Sequence, residues 1–141
     1  MKIITHSEQE TFSLAKKMAK KAKGGEVYAL QGDLGAGKTV FVRGFAAGLG
    51  VKRNVNSPTF VLMKIYPVKK HKSIKQICLI DAYRLRSAKD LAAIGAQDYL
   101  GKKDAVCFIE WPERVKKILP RKVRLIKLNQ INEDKREIEI K

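Results

Sequence analysis

Gly32-Asp33-Leu34-Gly35-Ala36-Gly37-Lys38-Thr39 fits the spacing G-x-x-x-x-G-K-[ST] at every fixed position. No other stretch constrains the fold so tightly, because the pattern works only between a strand and a helix. Val27-Tyr28-Ala29-Leu30 supplies an apolar run ahead of it, read as a buried strand. A helix is expected from about Lys38 to Leu49, stopped by Gly50. Glycines let the backbone close around phosphate with its N–H groups turned inward. The following helix aims its free N–H groups and positive dipole end at the same anion. Lys38 is then placed for the β- and γ-phosphates, and the Thr39 hydroxyl for Mg²⁺. Gly32, Asp33, Leu34, Gly35, Ala36, Gly37, Lys38 and Thr39 are the expected phosphate-binding segment.

Such a loop needs a carboxylate at a neighbouring strand end to complete the metal site. Two candidates exist. Asp81 closes Ile77-Cys78-Leu79-Ile80, and Glu110 closes Val106-Cys107-Phe108-Ile109. Asp81 is assigned to Mg²⁺ and Glu110 to the attacking water, with the reverse assignment open. Thr59, in Ser57-Pro58-Thr59-Phe60, stands where switch threonines meet the metal and γ-phosphate, although a proline turn into a strand explains it equally. Trp111 is a candidate to stack near the nucleotide or a partner, and a core role competes with that. No Asn-Lys-x-Asp guanine motif is present, so ATP is favoured by elimination.

The rest of the chain reads as strands alternating with helices. Ser7 and Glu10 form a capping box for a helix carrying Phe12, Ala15, Met18, Ala19 and Ala22 on one face, ended by Gly24-Gly25. Strands are expected at Phe60–Val68, Ile77–Ile80 and Ala105–Glu110, with a basic turn over Lys69–Lys75. Ser87 is placed to cap a short helix to Ile94, and Pro112 to open another that Pro120 bounds. Val123–Leu128 and Arg136–Ile140 alternate, as half-buried strands do. The pattern predicts one α/β domain over residues 1–141, with a sheet parallel in its centre and mixed by antiparallel additions at Phe60–Ile80 and at the two alternating strands.

Composition excludes some classes. The apolar share of 45% is that of a globular protein, and no apolar run approaches a spanning helix. The N-terminus lacks the apolar core of a signal peptide, so a cytoplasmic protein with no membrane association is expected. Cys78 and Cys107 each sit in an apolar run and read as reduced strand residues, and His6 and His71 are isolated. Thirty Lys and Arg against fourteen Asp and Glu give a net charge of +16. That favours a nucleic-acid partner, but most of the lysines are scattered, as on a solvated surface. The local concentration is Lys69-Lys70-His71-Lys72, without interleaved aromatics.

Four segments together carry a resemblance: the glycine loop, Asn56-Ser57-Pro58-Thr59-Phe60, Asp81-Ala82-Tyr83-Arg84-Leu85, and Ile109-Glu110-Trp111-Pro112-Glu113-Arg114. In order and spacing they resemble the TsaE family, formerly YjeE, the bacterial ATPases of tRNA threonylcarbamoyladenosine synthesis. Leu91, Gly95 and Tyr99 fit the intervening pattern, and the likeness spans roughly residues 7 to 128. It implies a P-loop NTPase-like three-layer α/β sandwich with a mixed, centrally parallel sheet. It implies ATP and Mg²⁺ as ligands, and action with TsaB and TsaD on the adenosine beside the anticodon of ANN-decoding tRNAs, TsaD carrying out the transfer. Lys38 and Thr39 would then hold phosphates and metal, Asp81 the metal, and Thr59, Glu110 and Trp111 would line the catalytic side. Val40 departs from the second threonine common in the family, Ile80 and Ala82 depart from its usual surroundings of the aspartate, and the Lys69–Gln76 hairpin is unusually basic. Contact with tRNA would be indirect or through that basic surface. Slow hydrolysis alone, accelerated by partners, is expected because no in-cis arginine finger is evident. The alternatives are a small metabolite kinase, with Asp33 or Glu110 as base, and an ATP-dependent adaptor without hydrolysis.

Overall fold

The computed structural model describes residues 1–33, 35–52, 55, 62–83, 85–116 and 119–141. Seven strands form one sheet in the order β1-β7-β6-β2-β5-β4-β3. In chain order they are β1 (Lys2–Thr5), β2 (Val27–Gln31), β3 (Met63–Pro67), β4 (Gln76–Asp81), β5 (Ala105–Glu110), β6 (Arg124–Gln130) and β7 (Arg136–Ile140). The helices are α1 (Glu8–Lys20), α2 (Lys38–Gly48) and α3 (Ala88–Ala93), with 3₁₀ turns at Ala96–Asp98 and Pro112–Arg114.

Strands β6, β2, β5 and β4 run parallel, while β1–β7, β6–β7 and β3–β4 are antiparallel pairs. The expected mixed, centrally parallel sheet is therefore present. Of the two alternating strands, β7 is the antiparallel addition expected, pairing with β6, while β6 itself lies parallel to β2. Its alternation reports a sheet face that is wet on one side, and that signal carries no strand direction. After β5 the chain crosses back through residues 111–123 to the start of the sheet before β6 begins, which imposes the parallel sense.

Period-two alternation divides the core. Ile77, Leu79, Val106 and Phe108 face a cluster shared with α1 and α2, whereas Cys78, Ile80, Cys107 and Ile109 face a second cluster with Leu85, Leu91 and Val115. The result is a sheet with cover on both faces, three layers in all. Cys78 and Cys107 are register partners in the second cluster, both free and buried. Their mutual hydrogen bond, then burial, hold the Cys107 thiol protonated, far above the usual range.

The capping box at α1 is real in its first half: the Ser7 hydroxyl accepts from the Glu10 N–H at 3.1 Å. Glu10 reaches back one residue further than expected, to the His6 N–H at 2.6 Å. The buried face of α1 is Thr11, Ala15 and Ala19, with Phe12 and Met18 half-buried beside it. Ser87 makes no side-chain cap at α3. Strand β1, absent from the sequence reading, adds to the outer edge of β7 with little buried surface of its own.

Helices α1 and α2 pack closely enough that a Cβ at Gly44 would strike the Phe12 carbonyl, and one at Gly48 would lie 2.6 Å from the Lys16 carbonyl oxygen. Gly44→Ala would raise helix propensity by about 1 kcal/mol on a free helix. Here overpacking should dominate, with a net loss of about 1–3 kcal/mol, read as a lower urea midpoint at unchanged slope. A raised midpoint would contradict the close packing of the two helices.

Candidate nucleotide site

Parallel strands deliver their C-terminal ends to one edge of the sheet. Register pairing sets Leu30 beside Glu110 and Glu110 beside Asp81. Chain leaving β2, β5 and β4 therefore builds one crevice, where ligands of open α/β sheets bind. A cavity of about 580 Å³ occupies it, lined by Gly35, Gly37, Lys38, Thr39, Asp81 and Glu110 among others.

The glycine loop is formed as its sequence requires. Gly35 and Gly37 have φ of 81° and 99°, in the left-handed region that side chains disfavour. Gly37 is the N-cap of α2, so the first turn of that helix opens toward the cavity. Lys38 is buried at the cavity wall, its amine 4.4 Å from the centroid of the Trp111 ring.

The two carboxylates differ in setting. Asp81 is buried, and its Oδ1 accepts the Tyr83 N–H at 3.0 Å. Its own N–H donates to the Leu62 carbonyl, while the Ala82 N–H donates to the Glu110 carbonyl at 3.0 Å, tying the two strand ends together. Glu110 is half-buried on the same wall. Trp111 is the one non-glycine with positive φ among the described residues, at 59°. A bulky residue there stores about 1–3 kcal/mol. The Tyr83 ring packs against it at 5.1 Å between centroids. The strained backbone turns the indole over Lys38 just where the chain leaves β5.

Of the expected site residues, the structure thus brings Gly35, Gly37, Lys38, Thr39, Asp81, Glu110 and Trp111 to one cavity. Gly32 and Ala36 lie in the same loop behind its wall, and a Cβ on Gly32 would sit 2.6 Å from the Leu128 carbonyl oxygen. Asp33 is exposed and faces a different depression with residues 128–133, away from the carboxylates. Leu34, Thr59 and Arg84 lie outside the described residues. Among the described residues no group of three or more His, Cys, Asp and Glu could hold a metal. The Thr39–Asp81 pair expected from sequence is a smaller set than that, and both residues line the cavity.

Val40 and Tyr83, neighbours of expected site residues, also line it, and four more distant lining residues were not anticipated: Glu8 and Thr11 of α1, Asp134, and Arg136 of β7. Glu8 and Thr11 reach the cavity through the close packing of α1 on α2, and Asp134 and Arg136 through the pairing of β7 with β6, long-range contacts that local pattern does not reveal. Arg136 donates from Nη2 to the Gly35 carbonyl at 3.1 Å. Its Nη1 donates to the carbonyls of Asn132, Glu133 and Lys135 at 2.9 to 3.1 Å. One guanidinium thus fastens the glycine loop to the β6–β7 turn.

Comparison with known proteins agrees with this geometry. The family model for Threonylcarbamoyl adenosine biosynthesis protein TsaE matches residues 5–138. The chain belongs to the TsaE family. It is 38% identical over 138 residues to the tRNA threonylcarbamoyladenosine biosynthesis protein TsaE of Bacillus subtilis, covering 98% of this chain and 83% of that one. It is 38% identical over 140 residues to the TsaE protein of Treponema pallidum, covering 99% of both. The crystal structure of Bacillus subtilis YdiB superposes with a TM-score of 0.79 at 35% identity, over 98% of this chain and 82% of that one. TsaE membership ties the chain to the biosynthesis of threonylcarbamoyladenosine in tRNA. Among the described residues no helix is long and apolar enough to cross a membrane.

The Arg136 tether yields a direct expectation. Arg136→Ala should speed amide hydrogen exchange of the glycine loop, while global stability falls by about 1–3 kcal/mol for the loss of its exposed hydrogen bonds. Unchanged exchange in the loop would mean that the tether does not hold it.

Proposed function

We propose that this chain binds MgATP in the cavity and hydrolyses it for the machinery that makes N6-threonylcarbamoyladenosine in tRNA, acting with TsaB and TsaD. The observation that carries the reading is the convergence of Lys38, Thr39, Asp81 and Glu110 on one cavity from three adjacent parallel strand ends. The residues fit the ligand. A backbone cradle of left-handed glycines, a buried ammonium and a helix N-terminus suit a polyphosphate, and a buried carboxylate and a hydroxyl lining the same cavity suit Mg²⁺.

Lys38 binds the β- and γ-phosphates, and the amides of the loop and of the first turn of α2 hold the rest of the chain of phosphates. Thr39 and Asp81 hold the metal, whose charge when bound offsets that of the phosphates. Asp81 suits this task better than Glu110, because it is buried and fixed by the Tyr83 amide. Glu110, one strand away, orients a water toward the γ-phosphate and takes its proton. Trp111 covers Lys38 and keeps bulk water off that side. Thr59 is assigned to the γ-phosphate side from its sequence alone.

Partner activation follows from the arginines. Among the described residues lining the cavity, Arg136 is the arginine, and its guanidinium is committed to four backbone carbonyls. Arg84, beside the Asp81 strand, lies outside the described residues; on our reading a partner supplies the charge at the γ-phosphate, which is worth about 10³–10⁵ in rate. A kinase using Asp33 as base is disfavoured, since Asp33 lies off the cavity.

The test is ATP turnover by the purified chain, alone and with TsaB and TsaD. We expect slow turnover alone, strong stimulation in the mixture, and none in Lys38→Ala. Glu110→Gln should lower kcat by about 10²–10⁴ with little change in KM. Turnover unmoved by the partners would overturn partner activation, and full activity in Glu110→Gln would remove its role.

A further inference from the structure

Parallel topology also assembles the opposite end of the sheet. The segments that lead into β2, β4, β5 and β6 all arrive there, and each is basic. Lys20, Lys21 and Lys23 lead into β2; Lys69, Lys70, Lys72 and Lys75 lead into β4. Lys102 and Lys103 precede β5, and Arg121, Lys122 and Arg124 open β6. These side chains are exposed, and Glu26 and Asp104 are the only acids in the four segments.

The three segments before β2, β4 and β5 are packed together, and the one before β6 is set beside them by the pairing of β6 with β2. The Gly25 N–H donates to the Ala105 carbonyl, and the Lys75 and Gln76 N–H groups both donate to the Asp104 carbonyl. Gly24 packs against the Lys103 carbonyl so closely that it leaves no room for a Cβ. The β3–β4 turn is folded on itself, with His71 Nδ1 accepting from the Ser73 and Ile74 N–H groups at 3.1 and 3.0 Å. Glu26 spends its carboxylate on the Lys23 and Gly24 N–H groups, both at 2.7 Å. Twelve of the thirty cationic side chains thus stand on a fixed frame at one pole. The cavity end is mixed, with Glu8, Asp81, Glu110 and Asp134 beside Lys38 and Arg136.

From this we infer that the pole opposite the nucleotide cavity is a binding surface for the sugar-phosphate backbone of structured RNA. Like charges gathered on rigid turns repel one another, and a polyanion relieves that repulsion by releasing its condensed counterions. Lysine ammoniums without interleaved aromatics suit phosphates, not splayed bases, so recognition is of backbone and shape. A duplex-rich RNA is favoured over an acidic protein because the cations are spread over four segments along the sheet edge, and no exposed large hydrophobic among the described residues belongs to those segments. The surface is distinct from the cavity, so it can hold RNA whether or not the cavity hydrolyses ATP.

The test is fluorescence anisotropy of a labelled, unmodified tRNA transcript titrated with the full chain, without nucleotide, between 50 and 200 mM KCl. With six or more phosphate contacts, affinity should fall by about 10³ over that range. Lys69→Ala/Lys72→Ala and Lys102→Ala/Lys103→Ala should each weaken binding at least about tenfold at 100 mM KCl and lower the salt slope by about two. Lys89→Ala/Lys135→Ala, which removes the same charge outside the four segments, should change affinity less than about twofold, and Lys38→Ala should bind tRNA like the parent. Equal losses in all the double variants would overturn the proposal in favour of diffuse charge. So would absence of tRNA binding, or basal substitutions that impair only association with TsaB and TsaD.

Discussion

Everything in this molecule hangs on the parallel register of β2, β5 and β4. Backbone pairing places Leu30, Glu110 and Asp81 side by side, and each is the point where the chain leaves or is about to leave the sheet. Three groups that are remote in sequence, the glycine loop and the carboxylates of Asp81 and Glu110, become neighbours without any loop having to reach. The two hydrophobic clusters exist to hold that register: Phe108 stacks on Tyr28 at 5.2 Å and meets Phe45 of α2 edge-on at 5.0 Å. The helix carrying Lys38 is thereby fixed to the strand carrying Glu110.

On that frame the site is tightened by interactions of modest individual size. Arg136 ties the Gly35 carbonyl to the β6–β7 turn, the Tyr83 amide holds Asp81, and the Trp111 ring lies against Lys38. The left-handed backbone at Trp111 is the one place among the described residues where a side chain is kept in an unfavourable region. The same strand alignment that collects carboxylates at one edge collects lysines at the other, so the charge asymmetry of the chain is a consequence of topology as much as of composition.

Much of this was legible from sequence because it is local. The glycine loop, its flanking strand and helix, and the carboxylates closing apolar runs are each contained within a few residues, and Ser7 caps α1 as its spacing requires. What escaped was long-range. The direction of β6 depends on where the chain returns after β5, and alternation cannot encode it. Strand β1 is short and largely exposed, with its pairing to β7 as its support. Glu8, Thr11, Asp134 and Arg136 look like ordinary helix-start and turn residues until the packing of α1 on α2 and the pairing of β7 with β6 carry them beside the glycine loop. Asp33 shows the converse. It sits inside the phosphate motif, yet the turn closed by the Ala36 N–H on its carbonyl leaves it on the outer side.

The central claim, that this edge of the sheet is one MgATP site, is best met by equilibrium titration of MgATP followed through Trp111, the chain's single tryptophan. The account predicts a saturable change in emission, because the indole lies against the lysine that meets the phosphates. That change should be lost in Lys38→Ala and shifted to higher Mg²⁺ concentration in Asp81→Asn. ATP binding that leaves Trp111 silent and is indifferent to both substitutions would contradict it.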